Sequence, residues 1–228
     1  MTCFRRPRPK CRDVPAGRLY NGGVDFVVLS SSRGTTFQAV IEALQSGVLT
    51  ARCLGLLTDS PDRLCLQKAT AAKLPSAIVE KKPDEDRAAF DRRVDATLRT
   101  LIEQSGGDPG KTILAAMGWM WIMTPWLITR WQGRIINVHP ALLPKYGGKG
   151  MYGDHVHKAV LAAGDAVSGI TLHLMNEGVD TGEILLQKTC PVLPGETVAS
   201  LKQKVQALEK EWYPKTLQMI ETGECWLP

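Results

Sequence analysis

From Val24 onward, short apolar strands alternate with helix-length amphipathic stretches, and this rhythm constrains the fold more than any other feature of the chain. Val24 to Ser30, Ala51 to Thr58, Ser76 to Glu80, Lys111 to Gly118 and Arg134 to Val138 read as strands. Between them, Thr36 to Leu44, Asp62 to Ala72 and Asp84 to Gln104 read as helices, the last with a Phe90, Val94, Leu98, Leu101 stripe, and Pro125 opens a short one. Strands separated by whole helices imply crossover connections and a parallel sheet. Runs apolar on both faces suit a sheet covered on both sides. The expectation is a Rossmann-like α/β fold: an open, mostly parallel twisted sheet with helices on both faces. Further on, Asp154 to Ala163 is helical, and Gly169 to Met175 and Glu183 to Val192 are strands. Thr197 to Lys210 is a helix, and Trp212 to Thr222 closes the fold.

The charge is distributed unevenly. Of 28 Lys and Arg, six lie in residues 1–23 (Arg5, Arg6, Arg8, Lys10, Arg12 and Arg18), with Asp13 as the sole acid there, so this stretch accounts for the whole +5. The body, 24–228, is neutral, which argues against a nucleic-acid partner. Residues 1–23, rich in Pro and Arg and poor in apolar periodicity, read as a basic, flexible tail. No apolar run approaches the roughly 20 residues that cross a bilayer, so no membrane partner is expected. With no apolar secretory core in the tail, the six cysteines are expected as free thiols in the cytoplasm. None forms a C-x-x-C pair, and His155-x-His157 lacks a third nearby ligand, so no metal is expected.

In open α/β sheets ligands bind beyond the carboxyl ends of the strands. Four places there carry candidate chemistry. Ser31-Ser32-Arg33-Gly34-Thr35-Thr36 opens a helix, where backbone N–H groups suit either a phosphate or a simple helix cap. Asn137-Val138-His139-Pro140 ends an apolar strand, and alternation sends Asn137 and His139 to one side. Asn supplies a neutral donor for an oxyanion, and His moves a proton near neutral pH. Asp180, in a Gly-containing turn, serves either that turn or His139 as a carboxylate partner. Trp119, Trp121, Trp126 and Trp131 surround the fourth strand's end, either lining a pocket for a planar ring or packing the core.

Taken together, Gly118 to Pro125, the run Asn-Val-His-Pro-Ala-Leu-Leu-Pro from Asn137, Gly169 to His173, Val179 to Gln187 and Glu209 to Pro214 resemble the folate-dependent formyltransferase family, over roughly residues 24–222. The resemblance implies a formyltransferase domain over 24–228, acting as a monomer or homodimer. Its small-molecule substrates are 10-formyltetrahydrofolate as donor and 5'-phosphoribosylglycinamide (GAR) as acceptor, in purine synthesis. It implies Asn137, His139 and Asp180 as the catalytic set. Gly34, Thr35 and Thr36 would hold the acceptor's phosphate, and Glu209 its ribose. Arg87, Met120, Trp121, Ile122, Met123 and Asn137 would contact the folate.

Three positions depart from the family's pattern. Thr36 stands where Asn is commoner, Trp121 replaces a frequent Arg, and the loop Tyr146 to Gly153 is long. Two other acceptors, methionyl-tRNA and an amino-sugar nucleotide, stay open beside GAR. So do a hydrolase of the same folate and a catalytically silent folate- or nucleotide-binding module.

Overall fold

A computed structural model describes residues 23–225 and Leu227. The expected basic tail lies almost entirely outside the described residues. Among the described residues thirteen elements follow one another: β1 (Asp25–Leu29), α1 (Thr35–Gln45), β2 (Arg52–Thr58), α2 (Leu64–Ala71), β3 (Ser76–Ile78), α3 (Arg87–Gln104), β4 (Ile113–Ala116), α4 (Pro125–Arg130), β5 (Ile135–His139), α5 (Asp154–Ala162), β6 (Val167–Leu174), β7 (Ile184–Pro191) and α6 (Val198–Glu221). The seven strands form one sheet in the order β3-β2-β1-β4-β5-β6-β7.

The first five strands pair in parallel, and β6 and β7 add antiparallel partners beyond β5. The chain moves outward from β1 to β3, then returns to β4 on the other side of β1. This reversal opens a crevice beyond the strand ends between β1 and β4.

Alternating side chains explain why the sheet is covered twice. Phe26 and Val28 face a core shared with α1 and α6, including Phe37, Val40, Leu201, Val205 and Leu217. Val27 and Leu29 face the opposite core, where Phe90, Val94, Leu98 and Leu101 of α3 meet Leu127 and Trp131. The α3 stripe is therefore buried as its spacing requires.

The structure corrects the reading of the chain's end. Thr197 to Lys210 and Trp212 to Thr222 are parts of one continuous helix, α6, with Pro214 in its interior. Proline there removes a hydrogen bond and costs about 3 kcal/mol. The buried face of Tyr213, Pro214, Leu217 and Ile220 offsets that cost. Tyr213 is fully buried, and its hydroxyl donates to the Ile136 carbonyl at 2.9 Å, joining α6 to β5 one residue before Asn137.

Candidate active site

The cavity in the crevice has a volume of about 850 Å³ and collects side chains from every loop singled out in the sequence. Its wall includes Thr35, Thr36, Asn137, His139, Asp180, Glu209 and the whole of Met120 to Met123. Gly34 and Arg87 are not part of that wall. Arg87 stands exposed on the first turn of α3.

Gly34 acts beneath the surface. It caps α1 in the left-handed region at φ 67, and a Cβ there would lie 2.8 Å from the Cys65 Cβ. Its N–H donates to the Ser32 hydroxyl, and its carbonyl accepts the first helical bond from Gln38. The N–H groups of Thr35, Thr36 and Phe37 thus form the positive end of α1, with Thr35 and Thr36 on the cavity wall.

Strand register builds the centre. On β5, Asn137 pairs directly with His173 of β6, and His139 pairs with Thr171. Asn137 Nδ2 donates to His173 Nε2 at 3.2 Å. The other nitrogen of His173, Nδ1, lies 3.0 Å from the Leu174 carbonyl, which only accepts, so Nδ1 carries the proton. Burial pushes the His173 pKa down from its ordinary 6.5; the Leu174 carbonyl and Asp180 oppose this, and His139 adds to it. His173 is therefore neutral, with its Nε2 lone pair turned toward Asn137. That lone pair fixes the Asn137 amide and leaves its second N–H for another acceptor.

His139 is buried between two partners. Its Nε2 donates to the Tyr146 carbonyl at 2.7 Å, and its Nδ1 lies 3.4 Å from Asp180 Oδ2. Asp180 also sits 3.7 Å from His173 Nε2 and accepts the Gly148 N–H at 3.0 Å. It reaches this position with a left-handed φ of 57. Both His139 nitrogens are engaged, so an oxyanion in the cavity first meets Asn137.

At the other end, Thr36 Oγ1 donates to Glu209 Oε2 at 3.1 Å. Burial raises the Glu209 carboxyl to about 7, against the lowering effects of Thr36, Lys210 and Lys202. His157, in the same wall, is lowered chiefly by burial, and its Nδ1 has no hydrogen-bond partner.

The four tryptophans divide. Trp119 and Trp121 line the cavity. Trp121 is held by its N–H bond to Asp59 Oδ2 at 2.9 Å. Trp131 is instead core, bonded to Asp95 at 2.9 Å, and Trp126 packs outside under Arg130. His173 lies within the family-like segment Gly169 to His173, yet neither it nor Tyr146 is marked by a local sequence motif as part of the centre. A period-two reading of β6 puts Thr171 and His173 on one face, which is the available signal for the first. Among the described residues no group of three or more His, Cys, Asp or Glu is arranged to hold a metal ion, and no helix is long and apolar enough to cross a membrane.

An open α/β sheet with an Asn, His and Asp gathered beyond its strand ends defines the class, and comparison with known proteins agrees: the chain belongs to the formyl transferase family, whose model matches residues 24–217. It is 32% identical over 195 residues to phosphoribosylglycinamide formyltransferase from Bacillus subtilis, covering 86% of this chain and 93% of that one. It is 33% identical over 198 residues to the trifunctional purine biosynthetic protein adenosine-3 of Drosophila melanogaster. It spans only 14% of that longer protein. Among solved structures, glycinamide ribonucleotide transformylase 1 from Symbiobacterium toebii superposes with a TM-score of 0.78 at 29% identity, covering 88% of this chain and 89% of that one.

Proposed function

We propose that this protein transfers the formyl group of 10-formyltetrahydrofolate to the amine of GAR, giving formyl-GAR and tetrahydrofolate; the name of the Bacillus subtilis relative describes that protein as a formyltransferase of phosphoribosylglycinamide. The observation that carries the reading is the convergence of Asn137, His139 and Asp180 on one cavity, with the positive end of α1 and Glu209 lining the same space.

The acceptor enters with its phosphate on the N–H groups of Thr35 and Thr36. Its ribose hydroxyls donate to Glu209, and its neutral amine points toward Asn137. The pterin lies along Met120, Trp121, Ile122 and Met123. Arg87, exposed on the first turn of α3 and outside the cavity wall, is assigned to the donor folate.

The amine attacks the formyl carbon and the carbonyl oxygen becomes an oxyanion. Asn137 Nδ2 donates its remaining N–H to it, an interaction of the kind worth about 2.7–4 kcal/mol when removed. Collapse breaks the bond to the folate nitrogen. The attacking amine loses one proton and the folate nitrogen gains one. The His139–Asp180 pair, 3.4 Å apart, holds the proton in transit through water. The reaction itself needs no metal or redox group.

The test is a steady-state assay with GAR, an amino-sugar nucleotide, methionyl-tRNA, and no acceptor. Donor consumption with GAR alone supports the reading. Consumption without an acceptor moves the assignment to a hydrolase, and preference for another amine moves it to that acceptor. Folate binding without turnover on any of them leaves a binding module.

A further inference from the structure

We propose that Tyr146 is a positioning residue that sets the orientation and tautomer of His139 through its main-chain carbonyl, and that Asp165, outside the cavity, holds Tyr146 in place. The proposal rests on the reading of His139 as part of the reacting centre.

Three observations carry it. First, the Tyr146 carbonyl lies 2.7 Å from His139 Nε2. A carbonyl only accepts, so Nε2 must carry the proton, and Nδ1 is the nitrogen turned to Asp180. Second, Tyr146 adopts φ 60, a region that non-glycine residues enter only under constraint. The constraint is visible: its hydroxyl donates to Asp165 Oδ2 at 2.7 Å, and Lys145 donates to both oxygens of that carboxylate at 2.6 Å. Lys145 also sits 5.0 Å from the centroid of the Tyr146 ring. Third, the segment after Tyr146 runs against the other member of the pair. A Cβ on Gly147 would lie 3.2 Å from Asp180 Cβ, and the Gly148 N–H donates to Asp180 Oδ2 at 3.0 Å.

One strap, residues 145–148, therefore bonds His139 through one carbonyl and Asp180 through one N–H. Its outer anchor is Asp165, which follows α5 at the protein surface. If the strap relaxes, Nε2 loses its acceptor, the imidazole is free to carry its proton on either nitrogen, and the Nδ1–Asp180 alignment is lost. Substrate contacts at α1 and Met120 to Met123 are untouched.

The experiment uses full-length protein labelled with 15N in its histidine rings, at a pH where the His139 ring is neutral. Long-range 1H–15N correlations report which nitrogen is protonated, and the His139→Gln variant identifies the signal. The wild type is expected to show the proton on Nε2. Tyr146→Phe removes the hydroxyl bond, and Asp165→Ala removes its acceptor at a half-buried position outside the cavity wall. Each is expected to give mixed tautomers and at least a roughly 10-fold fall in kcat, with both KM values within about two-fold. Asp165→Asn keeps an acceptor oxygen and is expected to retain the wild-type tautomer and most of kcat. A neutral wild-type ring protonated on Nδ1 overturns the proposal. So does a fall in kcat with the tautomer unchanged, or an unchanged ring in both Tyr146→Phe and Asp165→Ala. The ring spectrum is independent of the reaction, so absence of formyl transfer by the wild type would remove the functional reading without deciding the tautomer.

Discussion

Asn137 owes its usefulness to a neighbour 36 positions away. His173, neutral because it is buried, offers Asn137 a lone pair and thereby chooses which way the amide faces. Replacing Asn137 by Ala is expected to lower turnover at least about 10²-fold while leaving the thermal unfolding midpoint nearly unchanged. Asp180→Ala is expected to lose at least as much, and steady-state assays beside melting curves measure both. Near-normal turnover in the two variants contradicts the assignment. Glu209 makes a separate prediction. Its carboxyl, raised to about 7 by burial, is charged above that pH and protonated below it. KM for the acceptor is therefore expected to rise as pH falls through about 7, and Glu209→Gln is expected to lose that pH dependence. A flat wild-type profile contradicts the role. At this scale the sequence was partly legible. Asn137 and His139 share a side because a strand alternates, which needs no tertiary information. Asp180 needed the family's motif, and the partnership of His173 needed the β5–β6 register, which local pattern does not encode. Tyr146 acts through its backbone, so its side chain announced nothing.

Elements carry these residues with different certainty. The parallel strands declared themselves by their length and by the helices between them. Directions for β6 and β7 did not, because an apolar run looks the same read either way. Helix α6 was harder still. Pro214 signals a stop at the local level, and the buried face packed against α1 and β6 keeps the helix going. The hydrogen bond from Tyr213 to Ile136 links that helix to β5, the strand that carries Asn137 and His139. Tyr213→Phe leaves a buried carbonyl without this donor and is expected to cost about 1–3 kcal/mol. Urea unfolding measures it as a lower midpoint at constant slope. A loss of activity larger than the loss of folded protein would show that α6 also tunes the site.

Across the whole molecule, the site stores opposing titrations. His157 and His173 have folded-state pKa values below their ordinary 6.5, chiefly through burial. The unfolded chain binds their protons first, so they remove stability as pH falls below about 6.5. Glu209 has a folded value of about 7 against an ordinary 4.5, so the folded state binds its proton first. Its contribution is lost as pH rises through that window. The unfolding free energy of Glu209→Gln, which lacks the opposing group, is expected to fall more steeply between pH 7 and 5 than that of the wild type. Equal slopes contradict the burial of Glu209 as a charge.

The fold, the convergent Asn, His and Asp, and the positive end of α1 support one proposed reaction, the movement of a formyl carbon from a folate nitrogen to the GAR amine. The most direct measurement supplies 10-formyltetrahydrofolate labelled with 13C at the formyl carbon, together with GAR, and follows that carbon by NMR. The label is expected to move from the folate to a new formamide on GAR, one for one with tetrahydrofolate formed. Label appearing as free formate, or remaining on the folate while GAR is unchanged, would contradict it.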